Sequence, residues 1–250
     1  MQHNTKLIEI KNLKKSFGDK EILNGISLDI YKGKSLVIVG ASGSGKSVLI
    51  KNIAMILSPD SGDIIINGTN ITSASKQEKE SIIKRMGYLF QAGALFDSLT
   101  IWENIAFRLL QDKINRHDAK EQAALMLEEV ELDSDILDLK PQELSGGMQK
   151  RVALARAIIS KPDIIFLDEP TTGLDPVTAE TIDNLIIKLS KKIGATTITV
   201  THDLASIKKT SDNIAMIHDA KIIWQGDYNE VKLSTIPTVR AFFSARGNLA

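Results

Sequence analysis

The stretch Gly40-Ala41-Ser42-Gly43-Ser44-Gly45-Lys46-Ser47 constrains the chain more than any other. It follows a short β-branched run, residues 35–40, and leads into Leu49, Ile53 and Ile56, whose i, i+4, i+7 spacing gives the apolar face of a helix. A glycine-rich turn between strand and helix lets the backbone curl until the N–H groups of residues 42–47 point inward. The result is an anion nest closed by a helix N-terminus. Lys46 adds a positive charge for β- and γ-phosphates, and the Ser47 hydroxyl stands where it can ligate magnesium. The pattern predicts an α/β fold and a nucleoside triphosphate ligand, and it leaves the reaction open. The bland alternative is a turn with a chance lysine, which the strand–turn–helix context disfavours.

The flanking sequence suits that frame. Residues 6–11 and 22–30 alternate apolar and polar positions, as half-buried antiparallel strands do, and residues 63–67 read as another strand closed by Gly68. Residues 98–161 read as helix almost throughout. Ala123, Leu127 and Val130 form one stripe, and Met148, Val152, Ala155 and Ile159 form another. This predicts a helical subdomain inserted into a single domain spanning 1–250. Residues 163–168 and 196–201 are buried-type strands separated by a helix over about 177–192, which argues for a parallel sheet. Residues 214–226 read as a hairpin turning at Asp219-Ala220, and residues 235–250 as a last helix and a short tail.

Two carboxylates, Asp168 and Glu169, close the apolar run Ile164-Ile165-Phe166-Leu167. Open α/β sheets place ligand sites at the carboxyl ends of strands, and adjacent side chains can share a site only because the strand is ending there. Asp168 would then face magnesium, and Glu169 would accept a proton from an attacking water. His202 follows the strand at 196–201. A lone histidine there is more often structural than catalytic, although a neutral imidazole at that edge can donate to a γ-phosphate oxygen. Leu144-Ser145-Gly146-Gly147-Met148 opens a helix with a good N-cap and two glycines that leave its first N–H groups uncovered.

The ordered set of phosphate loop, LSGGM, FLDEP, GLDP and TVTHD resembles the ATP-binding-cassette ATPases over essentially the whole chain. The resemblance implies a RecA-like parallel-sheet core with an N-terminal antiparallel β-subdomain and an inserted α-helical subdomain. It implies ATP and Mg2+ as cofactors. Phe17 matches the aromatic that stacks on adenine, with a place in the core as its alternative. Gly40, Ala41, Ser42, Gly43, Ser44, Gly45, Lys46, Ser47 and Val48 match the nucleotide-binding loop. Gln91 matches the glutamine that contacts magnesium and water and senses a membrane partner. Ser145, Gly146 and Gly147 match the signature that meets the γ-phosphate of an opposite subunit. Asp168 matches the magnesium-side aspartate, Glu169 the catalytic glutamate, Asp175 the D-loop aspartate, and His202 the switch histidine. Each site would be a composite of a homodimer.

Composition narrows the partners. Lys plus Arg and Asp plus Glu are both 31, so a net basic field for nucleic acid is absent. There is no cysteine, which removes disulfides and Cys-based metal sites, and the four histidines (His3, His117, His202, His218) form no HxxxH pair. Apolar runs are far shorter than the ~20 residues of a membrane span. The first residues, MQHNTKLIEIKN, carry no cationic segment followed by an apolar one, so no secretory leader is expected. These features predict a soluble intracellular protein, and the resemblance to transporter ATPases implies a cytoplasmic location, peripheral on the inner membrane of a bacterium.

Val48 after Ser47, Gly173 before Leu174-Asp175, GALFDSLTIWENIAF after Gln91, LSGGMQKRVALARAI and the final PTVRAFF are similar to ATPases of MCE/Mla-type lipid transporters. That likeness implies an integral-membrane permease and an MCE-type lipid-binding protein as partners. The apolar residues Leu95, Phe96, Leu99, Ile101 and Trp102 suit either a groove for a permease helix or internal packing. Competing readings are another importer's cassette, such as one for amino acids, a cell-division complex, or a soluble iron–sulfur-assembly ATPase. The span from Lys46 to Ser145 leaves no room for a coiled-coil insert.

Overall fold

The computed structural model describes residues 5–244. His3 and the expected tail after Ser244 lie outside them. Backbone contacts divide the chain into two compact units, residues 1–84 with 196–250, and residues 85–195.

The first unit begins with β1 (Lys6–Phe17) and β2 (Lys20–Tyr31), paired antiparallel. Ile8, Ile10 and Leu13 are all buried although strict alternation would turn Leu13 outward. A bulge resolves this: Asn12 is left-handed at φ 50° and the register shifts between Ile10 and Leu13. The inserted residue returns Leu13 to the core face. That is why the first strand continues past residue 11, where its simple alternation stops.

After β3 (Ser35–Val39) comes α1 (Lys46–Ile53), which buries Leu49, Ile50 and Ile53. The helix ends there because Met55 is left-handed, φ 58°. Ile56, expected on the buried face, is therefore off the helix and 47% exposed. β4 (Ser61–Ile66) and β5 (Thr69–Asn70) are joined by Asn67-Gly68 at φ 48° and 81°, the turn that Asn-Gly favours. They complete a four-stranded sheet, β2-β1-β4-β5, antiparallel where pairings are resolved. α2 (Lys76–Ile83) starts at a Ser75–Glu78 capping box.

The second unit holds β6 (Met86–Leu89), α3 (Ile101–Ile105), α4 (Phe107–Gln111), α5 (Arg116–Glu129), α6 (Gly146–Ile158), β7 (Ile164–Asp168) and α7 (Pro176–Ile193). β6 and β7 run parallel. Ala123, Leu127, Val130, Val152, Ala155 and Ile159 are buried in one cluster, and Met148 lies half-buried against it. Each fully buried Leu or Ile there contributes roughly 1.5–3 kcal/mol. Gly87 has no side chain because α6 passes so close that a Cβ would strike the Ala157 carbonyl.

The chain then returns to the first unit with β8 (Thr196–Val200), α8 (Leu204–Thr210), β9 (Asn213–His218), β10 (Lys221–Gly226) and α9 (Pro237–Ser244). β3 lies between β8 and β9, parallel to both, and β10 pairs antiparallel with β9 through the left-handed turn Asp219-Ala220. Val239 and Phe243 of α9 close a core with Val37, Val39, Ile214 and Met216. Among the described residues no helix is long and apolar enough to cross a membrane.

Candidate active site

In the first unit, strand β3 delivers Gly40 and helix α1 receives Gly45. Gly40 (φ 155°) could not carry a Cβ, which would collide with the Ile217 carbonyl and lie 2.7 Å from Ser44 Oγ; at Gly45 (φ 102°) a Cβ would lie 2.8 Å from the Ile22 carbonyl. Gly43 (φ 75°) instead faces open space, and Ala41 and Ser42 are exposed. Lys46 is buried, and its Nζ donates to the carbonyls of Gly40 at 3.0 Å and Ala41 at 2.9 Å. The ammonium thus lies across the loop. Gly45 caps α1 with no side-chain acceptor, so the partial positive charge of the helix start is uncompensated by a cap. Ser44 Oγ is buried without a partner within the protein. An orphan hydroxyl beside a cation, in a turn with room at Gly43, suits an anionic oxygen.

Ser47 and Val48 are half-buried in the first turn of α1, and the Val48 carbonyl accepts from Asn52 Nδ2 at 2.8 Å. Phe17, at the end of β1, is 50% exposed, which fits a stacking surface and not a core position. The Lys15 ammonium lies 5.5 Å from its ring centroid. His202 is exposed just past β8, beside Asp203, whose Oδ1 caps α8 by accepting from Ser206 N at 2.8 Å.

In the second unit, Asp168 ends β7 almost wholly buried, and the Tyr88 hydroxyl of β6 donates to its Oδ2 at 3.5 Å. Burial, together with the Asp168 charge, pushes the Tyr88 phenol above its ordinary range, so it stays a neutral donor. Glu169 is left-handed at φ 51°, which costs a non-glycine residue about 1–2 kcal/mol and breaks the two-fold alternation of the strand. Its Oε2 accepts from Thr172 Oγ1 at 2.8 Å. The two carboxylates both act on one ammonium, that of Lys150 in α6. Burial pushes Lys150 down and the charges of Asp168 and Glu169 oppose that. Lys150 Nζ donates to the carbonyl of Gln91, whose side chain is exposed just beyond β6.

Lys150 was not marked by any motif. Its signal was indirect: α6 buries most of its length, Lys150 included, and a buried cation must find acceptors. Ser145 is the N-cap of α6, accepting from Met148 N at 3.3 Å. Gly146 is exposed with open space around it, while a Cβ on Gly147 would come within 2.8 Å of Thr178 Cγ2 in α7. Asp175 caps α7, its Oδ1 accepting from Val177 N at 3.1 Å and Thr178 N at 3.0 Å. The bonds from Thr178, first of its side chain, lead in holding the Asp175 carboxyl below its usual range.

The apolar stretch after Gln91 divides. Ile101 and Trp102 are buried and Leu95 packs half-buried on the core, whereas Phe96 is 43% exposed and lies 4.7 Å from Phe107, centroid to centroid. Among the described residues, the side chains close enough to form a metal-ion cage are the exposed His117, Asp118 and Glu121, apart from Asp168. Magnesium needs no such cage, since one or two protein oxygens beside substrate phosphates suffice, and the Ser47 hydroxyl and the Asp168 carboxylate are each a hard oxygen donor of that kind.

Residues 23–172 match the family described as ABC transporter. The chain is 41% identical over 224 residues to the intermembrane phospholipid transport system ATP-binding protein MlaF of Haemophilus influenzae, covering 89% of this chain and 84% of that one. It is 37% identical to the chloroplastic protein TRIGALACTOSYLDIACYLGLYCEROL 3 of Arabidopsis thaliana (97% and 74% covered) and 36% identical to the methionine import protein MetN of Lactobacillus johnsonii (90% and 66%). The dimeric bacterial ABC transporter cassette MJ0796 superposes with a TM-score of 0.82 at 31% identity, covering 88% of this chain and 98% of that one. The nucleotide cradle, the paired carboxylates and these likenesses converge: the chain belongs to the ABC transporter family, as an ATPase that uses ATP and Mg2+ to drive transport.

Proposed function

We propose that this cassette powers a permease that moves phospholipid between membranes, working as a homodimer on the cytoplasmic face of a bacterial inner membrane with an MCE-type lipid-binding partner. The observation that carries the lipid reading is the likeness to MlaF across most of both chains. The likeness to MetN keeps an amino-acid importer as the second reading.

In this reading the loop at residues 40–48 grips the phosphates of ATP and Phe17 stacks on its base. Ser47, Gln91 and Asp168 are the residues that would hold Mg2+, which when bound offsets phosphate charge. As the water oxygen bonds to the γ-phosphorus, Glu169 takes its proton, and the bond from phosphorus to the bridging oxygen breaks to leave ADP and phosphate. His202 donates to the γ-phosphate, and Ser145, Gly146 and Gly147 offer helix-start N–H groups to the nucleotide of the partner subunit. Residues 98–161 act as the helical subdomain that carries closure to the permease, and Phe96, just before it in the chain, is the exposed contact. The described helix α9 belongs to the same cassette.

Purification in mild detergent, with identification of the bound membrane proteins, tests the assignment. Recovery of a lipid-transport permease, lost on Phe96→Asp with ATPase activity retained, is expected. Recovery of an amino-acid permease, or of no membrane protein, would overturn the lipid reading.

A further inference from the structure

Helix α6 carries two cations, Lys150 and Arg156, that both reach the loop after β6. Lys150 Nζ donates to the Gln91 carbonyl. Arg156 donates through Nη2 to the Gly93 carbonyl at 2.6 Å and through Nη1 to that of Ala94 at 2.7 Å. Its guanidinium also lies 5.8 Å from the Phe96 ring centroid. Gly93 and Ala94 are consecutive left-handed residues, φ 73° and 48°. A residue with a Cβ stays in that region only when its surroundings hold it there. Lys150 is 7% exposed and Arg156 is half-buried, so each cation needs acceptors to offset its lost hydration. Three carbonyls from one short loop are among them. The fork of a guanidinium can hold two carbonyls at once, which a lysine cannot do in the same geometry.

We propose that Lys150 and Arg156 are positioning residues that lock the loop at 91–94 onto the helix starting at Ser145, so that Gln91 and the Ser145–Gly147 glycines move as one body. The inference rests on the reading of Gln91 and residues 145–147 as parts of the ATPase site.

Amide exchange by mass spectrometry and steady-state ATPase kinetics on Lys150→Met, Arg156→Lys and Lys150→Arg test it. Exchange across 91–96 should rise about tenfold in Lys150→Met and Arg156→Lys while β7 keeps the wild-type rate. kcat should fall about tenfold at a nearly constant KM for ATP, and Lys150→Arg should restore both measures. Wild-type exchange at 91–96 in the first two variants overturns the proposal. So does faster exchange spread equally over β7 and α6, which would make these residues ordinary core supports. A wild-type chain without ATPase activity would sink the functional reading instead, and the exchange comparison, which needs no nucleotide, would still decide the lock.

Discussion

At residues 40–47 the features are an uncapped helix start and a buried lysine lying across the loop, with glycines whose missing side chains make room. At residues 168–169 they are two side-chain carboxylates, with Asp168 accepting from a phenol of another strand and both charges felt by the ammonium of Lys150. On the proposed reading the first region answers a polyanion, which asks for many donors in a fixed curve and little variation in shape. On the same reading the second must leave one carboxylate able to take a proton, which asks for local charge balance. A backbone device is contiguous in sequence. A charge-balance device is assembled from wherever the fold delivers the charges.

This contrast predicts separable losses. Glu169→Gln should lower turnover roughly 10²–10⁴-fold while nucleotide affinity stays near wild type, measured by single-turnover hydrolysis and equilibrium titration. Near-normal turnover would remove Glu169 from the role of base. Lys46→Ala should weaken ATP binding roughly 10- to 100-fold, since it deletes a buried charged donor; if Glu169→Gln weakened binding as much, the division of labour between the regions would fail.

The smallest effect concerns the helix caps, which also differ between the units. Glu78 in the first unit is held below its usual range by its Ser75 partner alone, chiefly the hydroxyl. Glu103 in the second unit is held down to about 2, first by the Thr100 N–H and then by Arg116. A carboxyl lowered on folding stabilises the protein above its unfolded value and loses that contribution as pH falls through the folded one. The contribution of Glu103 should therefore fade between about pH 4.5 and 2. Glu103→Gln should lower the melting temperature by roughly 2 °C at neutral pH and by nothing near pH 2. A difference that persisted at pH 2 would mean that packing, not charge, is what the variant removes.

The elements that read clearly were those whose signal is local. The strand–loop–helix around Gly40, the Asp219-Ala220 turn, the LSGGM helix start and the stripe at Ala123, Leu127 and Val130 each express a period or a turn preference within a few residues. What stayed hidden depended on neighbours distant in sequence. The bulge at Asn12 was invisible because simple alternation stops there and nothing local says that it resumes. Ile56 kept helical spacing but lost its helix to a left-handed Met55. The stretch from Leu95 to Trp102 stayed open between an exposed groove and internal packing, and only the fold separates exposed Phe96 from buried Ile101 and Trp102.

The sequence by itself determined the glycine-rich strand–loop–helix, the adjacent acids at the end of β7 and the likeness to cassette ATPases, because turn preference and donor chemistry are properties of contiguous residues. Only the tertiary structure decided that Lys150 reaches the Gln91 carbonyl and that Arg156 holds the Gly93-Ala94 turn. A cation in a helix does not carry the address of its acceptors; packing supplies it, by removing water and leaving those acceptors within reach.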